Sequence, residues 1–159
     1  MPQHSASRAR PWSLWAALAL LLFLAVGALP AAILLMAQPH GNPMGMPYAM
    51  IAATPFAQMG GWLIPGIILF VVIGLGSLFT AWSLFALPEW PWLQRLNPVR
   101  SRHWAWTLLL LLGVAVMIWI LVQVTMIPWS ALQPTIFATG LLLAAVAATT
   151  SLRRWCAVR

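Results

Sequence analysis

The sequence predicts an all-α integral membrane protein, an up-down bundle of four spans with a short helix or cap in its first outer loop. Three observations predict it. Four uncharged stretches are each long enough to cross about 30 Å of hydrocarbon at about 1.5 Å per residue. The basic residues, all arginine, sit at the ends of those stretches. The composition is 63% hydrophobic and 6% charged. A water-soluble domain carries about 25% charged residues, so this chain has too little polar surface to coat a globule in water.

The whole chain, 1–159, reads as a single transmembrane domain. Span one is expected from Trp12 to Met36. Its apolar run outlasts the roughly 7–15 residues of a cleavable leader's core, so it reads as a span, with a kink at Pro30. In the loop from Ala37 to Gly61, Pro39, Pro43, Pro47 and Pro55 with Gly41 and Gly45 prevent a continuous helix. Thr54 and Pro55 have the order of an N-cap and a first helical residue, so a short helix should start there and stop at Gly60 and Gly61. The loop is apolar (Met44, Met46, Tyr48, Met50, Ile51, Phe56), which predicts a cap lying on the bundle.

Span two is expected from Trp62 to Leu87, with Pro65 tolerated in its first turn. In the connector from Pro88 to His103, Trp90, Trp92, Leu93 and Leu96 stand beside arginines. That mixture suits either a segment in the headgroup layer or a plain connector whose aromatics anchor the helix ends. Spans three and four are expected at Trp104 to Ile127 and Pro134 to Leu152. Close helix contacts should use small residues: Gly27 with Ala31, Gly76 with Thr80, Ser77 with Ala81, Gly140 with Ala144, and Ala144 with Ala148.

Orientation follows from the arginines. They fall in three groups: Arg8 and Arg10; Arg95, Arg100 and Arg102; Arg153, Arg154 and Arg159. The loops after spans one and three hold none. By the positive-inside rule both termini and the connector are cytoplasmic, with Arg95, Arg100, Arg102, Arg153 and Arg154 as membrane-surface anchors. Tryptophan favours the headgroup level, so Trp12, Trp15, Trp90, Trp92, Trp104, Trp106 and Trp155 should form a cytoplasmic belt. Trp62 and Trp129 should mark the outer interface, while Trp82 and Trp119 fall within spans. An Arg-only, Ala- and Leu-rich composition suggests a GC-rich bacterial genome, and hence the inner membrane.

Several chemistries lack their residues. The net charge of +7 is concentrated at span ends, which argues for anchoring and against nucleic-acid binding. A single cysteine, Cys156, excludes an intramolecular disulfide or a CxxC pair. No span holds an ionisable residue, the usual mark of a proton or ion path. The only acid, Glu89, follows span two, and His4, His40 and His103 lie outside the spans, so no cofactor is expected and no enzyme.

Two groups of residues remain as candidate sites. His40, Met44 and Met46, with Met36, Met50 and Met59 nearby, offer imidazole and thioether, donors that suit copper(I), although methionine also fills irregular apolar gaps. Gln123 and Thr125 are polar residues near the outer end of span three. Gln123 is expected to bond a neighbouring helix or the outer loop, or to line a polar pocket.

The segments TPFAQMGGWLIPGIILFVVIGLG (Thr54 to Gly76) and WILVQV (Trp119 to Val124) resemble those of a group of small bacterial four-span membrane proteins. The resemblance covers about half of the chain and implies a four-span bundle with short loops. It implies no activity for any residue.

The functional expectation is a non-catalytic membrane protein, an accessory subunit or small oligomer whose partners are the lipid bilayer and other membrane subunits or itself. The first alternative is binding or transport of a lipid or other apolar molecule in an interhelical cleft, and the second is copper(I) binding by the outer loop.

Overall fold

The computed structural model describes residues 9–158; Arg8, Arg159 and His4 lie outside them. Seven helices follow one another: α1 (Trp12–Ala37), α2 (Pro55–Gln58), α3 (Leu63–Ala86), α4 (Pro91–Leu96), α5 (Trp104–Gln123), α6 (Leu132–Ala148) and α7 (Thr150–Trp155). Three of them, α1, α3 and α5, are long and apolar enough to cross a membrane, and α6 is a shorter apolar helix packed with them. The three long helices bury only 33%, 33% and 39% of their apolar windows inside the protein. The remainder faces outward, as expected where lipid takes the place of water.

α1 packs along α3, and α5 along α6, with α1 also meeting α6 and α3 meeting α5. The α5–α6 crossing is a backbone contact at Gly113 and Gly140, where neither residue has a side chain to hold the helices apart. Gly140 was expected at a close contact. Gly27 was too, but a Cβ there would meet nothing within 4 Å. The main core runs from Leu14 and Leu21 through Leu84 and Leu109 to Leu143 and Leu152. A smaller cluster of Leu35, Ile51 and Trp62 sits under the loop between α1 and α3.

That loop is the expected cap. Short 3-10 turns at Pro43–Gly45 and Tyr48–Met50 precede α2, which begins at Pro55 with Thr54 at its N-cap position. The Thr54 hydroxyl donates back to Ile51 O and makes no cap hydrogen bond. Gly60 and Gly61 both take positive φ before α3. A Cβ at Gly61 would collide with the Pro39 carbonyl oxygen, which accepts the Trp62 amide at 2.8 Å, so this turn requires glycine. Within α3 the chain winds as a π-helix from Leu69 to Leu75, where the Gly76 amide reaches back to Val71 O.

Two expected spans differ. α5 ends at Gln123, four residues before the expected Ile127, and tight turns carry the chain to Pro128. A proline disfavours helical backbone in the residue before it, which helps end the helix early. The fourth stretch was expected as one helix from Pro134 to Leu152. Instead α6 starts at Leu132, and Thr149 takes extended backbone and breaks the run. The Thr149 hydroxyl donates to Val146 O at 2.7 Å and accepts the Leu152 amide at 3.3 Å, ending one helix and starting the next. Serine and threonine compete for backbone in this way, and Thr149, Thr150 and Ser151 were the signal.

The three basic segments, far apart in sequence, meet at one end of the bundle. The Arg10 guanidinium lies 3.9 Å from the Phe85 ring centre, and Ser13 Oγ donates to Ser151 Oγ at 3.0 Å. Trp155 Nε1 donates to Leu84 O, and the His103 amide to Cys156 O at 2.7 Å. Arg95, Arg100, Arg153 and Arg154 are exposed there, and Arg102 is half-buried with its guanidinium 5.8 Å from the Trp106 ring.

The tryptophans divide in a way that the interfacial belt did not anticipate. Trp12, Trp15, Trp92 and Trp129 are exposed, but Trp62, Trp104 and Trp106 are buried. Trp90 stacks between Trp92 and Trp104, with ring centres at 6.2 and 5.6 Å, and Phe79 stacks on Trp104. Trp106 Nε1 donates to Ala147 O at 2.8 Å inside the bundle. An indole can satisfy its single N–H on a helix-end carbonyl as well as in the headgroup layer.

Candidate functional site

At the end away from the arginines, the bundle opens into a cleft of about 490 Å³ between the α1–α3 pair and the start of α6. Its depth is set by small residues on α1: Gly27, Ala28 and Ala31 line one wall. α3 contributes Trp62, Pro65, Leu69 and Ile73, so the π segment borders the cleft. α5 contributes Trp119, Ile120 and Gln123, and the chain from Met126 to Ser130 forms the rim. The cap loop supplies Met44, Met46 and Met50. No side chain in the lining carries a carboxylate, imidazole, thiol, amine or guanidinium group.

Few polar groups reach this space. Gln133, 2% exposed, uses its amide locally: Oε1 accepts the Ser130 amide at 3.2 Å and Nε2 donates to Pro128 O at 3.4 Å. Gln123 lines the cleft and is half-buried. Trp62 is 3% exposed, and among the described residues its Nε1 has no hydrogen-bond partner. A buried donor without an acceptor is uncommon and calls for an explanation.

The other sequence candidates are distributed differently. Thr125 is exposed, its hydroxyl donates to Val122 O, and it is not part of the lining. Met44 and Met46 line the cleft, whereas His40 is exposed with its ring 5.3 Å from Tyr48. The two thioethers therefore border an apolar space, and the imidazole packs on an aromatic ring. Met44 also holds positive φ, a conformation set by the tight turn at Pro43–Gly45.

The arginine end holds a polar centre that the sequence did not mark. Asn97 is 5% exposed and fully bonded: Nδ2 donates to Val99 O and Arg102 O, and Oδ1 accepts from Thr107 Oγ1 at 2.6 Å. Gln94 accepts the Trp104 amide and donates to Arg102 O. His103 caps α5, its Nδ1 accepting the Ala105 amide at 3.2 Å, and its Nε2 lies 3.1 Å from Pro88 O. That pattern requires the neutral tautomer with the proton on Nε2. Burial lowers the His103 pKa from its usual 6.5, partly offset by the Pro88 bond and by the negative charge of Glu89. These bonds tie the connector to the helix ends.

Long apolar helices, outward-facing carbon and clustered arginines define a small multi-span helical membrane protein. Compared with protein-family models, curated proteins and solved structures, the chain matches none.

Proposed function

We propose that this chain is a non-catalytic, up-down membrane protein that binds an apolar small molecule in the cleft, with the arginine end in the cytoplasm of a bacterial inner membrane. The observation that carries it is the cleft itself: about 490 Å³ lined by carbon, with a few polar groups at one end. Pockets for small molecules occupy about 300–1,000 Å³ with this kind of lining. The lack of ionisable lining groups supports binding over chemistry. The gathering of three basic segments at one end supports the orientation, because a single membrane face then holds them all.

Gly27→Leu tests the cleft. Gly27 lines the cleft and a Cβ there meets nothing within 4 Å, so a leucine at this position should narrow the cleft. Native mass spectrometry of the wild type should show a retained small molecule that the variant loses, with thermal unfolding unchanged. A wild type that retains nothing, or a variant that retains as much, overturns the proposal.

One observation favours an accessory or oligomeric role instead. α6 has 17 residues, about 26 Å of helix against about 30 Å of hydrocarbon. A short helix can be accommodated by association with a neighbour. Mass measurement after extraction in mild detergent decides this, and a strict monomer without partners removes it.

A further inference from the structure

The arginine end carries more positive charge than the chain itself can balance. Eight arginines stand against one acidic side chain, and the three basic segments meet at this end of the bundle. Positive charges held together repel one another unless an anion lies among them. Here an anion has a place to sit. A pocket of about 350 Å³ lies between the start of α1 and α7, lined by Ala9, Pro11, Thr150, Ser151, Arg154 and Trp155.

The pocket is held in shape, and its polar groups are open. Leu152, fully buried, anchors α7, and the bonds from Ser13 to Ser151 and from Trp155 Nε1 to Leu84 O hold it against α1 and α3. Thr150 and Arg154 are exposed and Ser151 is half-buried, so an incoming group can reach all three. The Ser151 hydroxyl accepts from Ser13 and keeps its own proton to donate. A guanidinium and two hydroxyls are donors that suit phosphate oxygens, and arginine can present two parallel N–H groups to such an anion. Trp12, next to Pro11, begins the apolar helix α1 and is 66% exposed. The pocket therefore lies at the headgroup level, where lipid phosphates are found.

We infer that this pocket seats the phosphate of an anionic phospholipid from the leaflet at the arginine end, with Arg154 pairing its charge and the Thr150 and Ser151 hydroxyls donating to its oxygens. The acyl chains remain in the bilayer beside α1. A zwitterionic lipid carries the same phosphate but brings a cation into a region already rich in arginine, so a net negative headgroup is favoured. The site is independent of the cleft, which opens at the other end of the bundle.

The test offers equal amounts of phosphatidylglycerol and phosphatidylcholine with the same acyl chains to purified full-length protein in mild detergent, and counts the lipid retained after washing by mass spectrometry. Wild type should retain phosphatidylglycerol about tenfold better, the low end for hydrogen bonds to a charged group. Arg154→Gln should lose most of that preference. Arg153→Gln removes the same charge from the same helix but from outside the pocket lining, and should lower the preference by no more than about twofold. Both side chains are exposed, so both variants should unfold at the wild-type temperature. Equal retention of the two lipids by wild type overturns the inference, and so do equal losses in the two variants, which would show a diffuse effect of charge. Washing with inorganic phosphate in place of chloride at equal ionic strength separates the two sources of the anion. Phosphatidylglycerol should stay bound, and its release would assign the pocket to free phosphate and overturn the lipid assignment. Gly27→Leu should keep the preference, and its loss there would put the retained lipid in the cleft and overturn the inference as well.

Discussion

Gly113 and Gly140 face each other across the α5–α6 crossing: a Cβ on Gly113 would stand 3.0 Å from Gly140 O, and one on Gly140 would stand 2.9 Å from Gly113 O. Each backbone occupies the space that a side chain on the other would need. Gly140→Ala should therefore force the helices apart and cost roughly 1–3 kcal/mol, the range for overpacking a tight contact. Gly27→Ala, which meets only open space, should leave stability unchanged or slightly raised. Thermal unfolding of both variants in one detergent checks the contrast, and equal melting temperatures would show that the crossing tolerates a methyl group.

His103 should make stability depend on pH. Its folded-state pKa lies below the usual 6.5, chiefly through burial, so below pH about 6.5 the unfolded chain takes up a proton that the folded chain resists. Stability is then full above that pH and falls as pH drops through the lowered pKa, where protonated Nδ1 can no longer accept the Ala105 amide. Melting curves from pH 7.5 to pH 5 should show a loss on the acidic side. His103→Asn keeps a capping acceptor that does not titrate, and should flatten this part of the curve.

Asn97 should tolerate no apolar replacement. In Asn97→Leu the Thr107 hydroxyl and the Val99 amide lose their acceptor, while Val99 O and Arg102 O keep donors in the Arg102 amide and Gln94 Nε2. The expected cost is roughly 1–3 kcal/mol, as for buried polar groups left unsatisfied. Arg95→Ala on the same short helix changes an exposed side chain and should shift stability by no more than about 0.5 kcal/mol. Chemical unfolding of the two variants measures the difference.

Reporter fusions check the proposed orientation. A fusion joined after Pro98 should report the cytoplasm, and one joined after Pro47 should report the opposite side. Replacing Arg95, Arg100 and Arg102 together should weaken that preference, because the arginines near short loops set it. A connector reporting from outside in the unaltered chain would reverse the assignment.

The extent of α1, the start of α3 and the cap between them were legible because each depends on local chemistry. Long apolar runs, Thr54 before Pro55, and paired Gly60 and Gly61 act over a few residues. The break at Thr149 was legible in principle, since Thr149, Thr150 and Ser151 form a capping signal, but the apolar run on either side outweighed it. Gln123 stands out in the sequence as an amide in an apolar helix, and it lines the cleft. Gln94, Asn97 and Gln133 were not, because a polar residue near a helix end looks the same whether it is solvated or buried with every bond made.

By itself the sequence determined that this protein is a set of apolar helices with arginines at their ends, because transfer from water to hydrocarbon is nearly a sum over neighbouring residues. Only the tertiary structure decided which tryptophans are buried, where Gly113 meets Gly140, and that Gly27 borders a space. Those outcomes depend on which surfaces of distant helices come together, and no local sum contains that information.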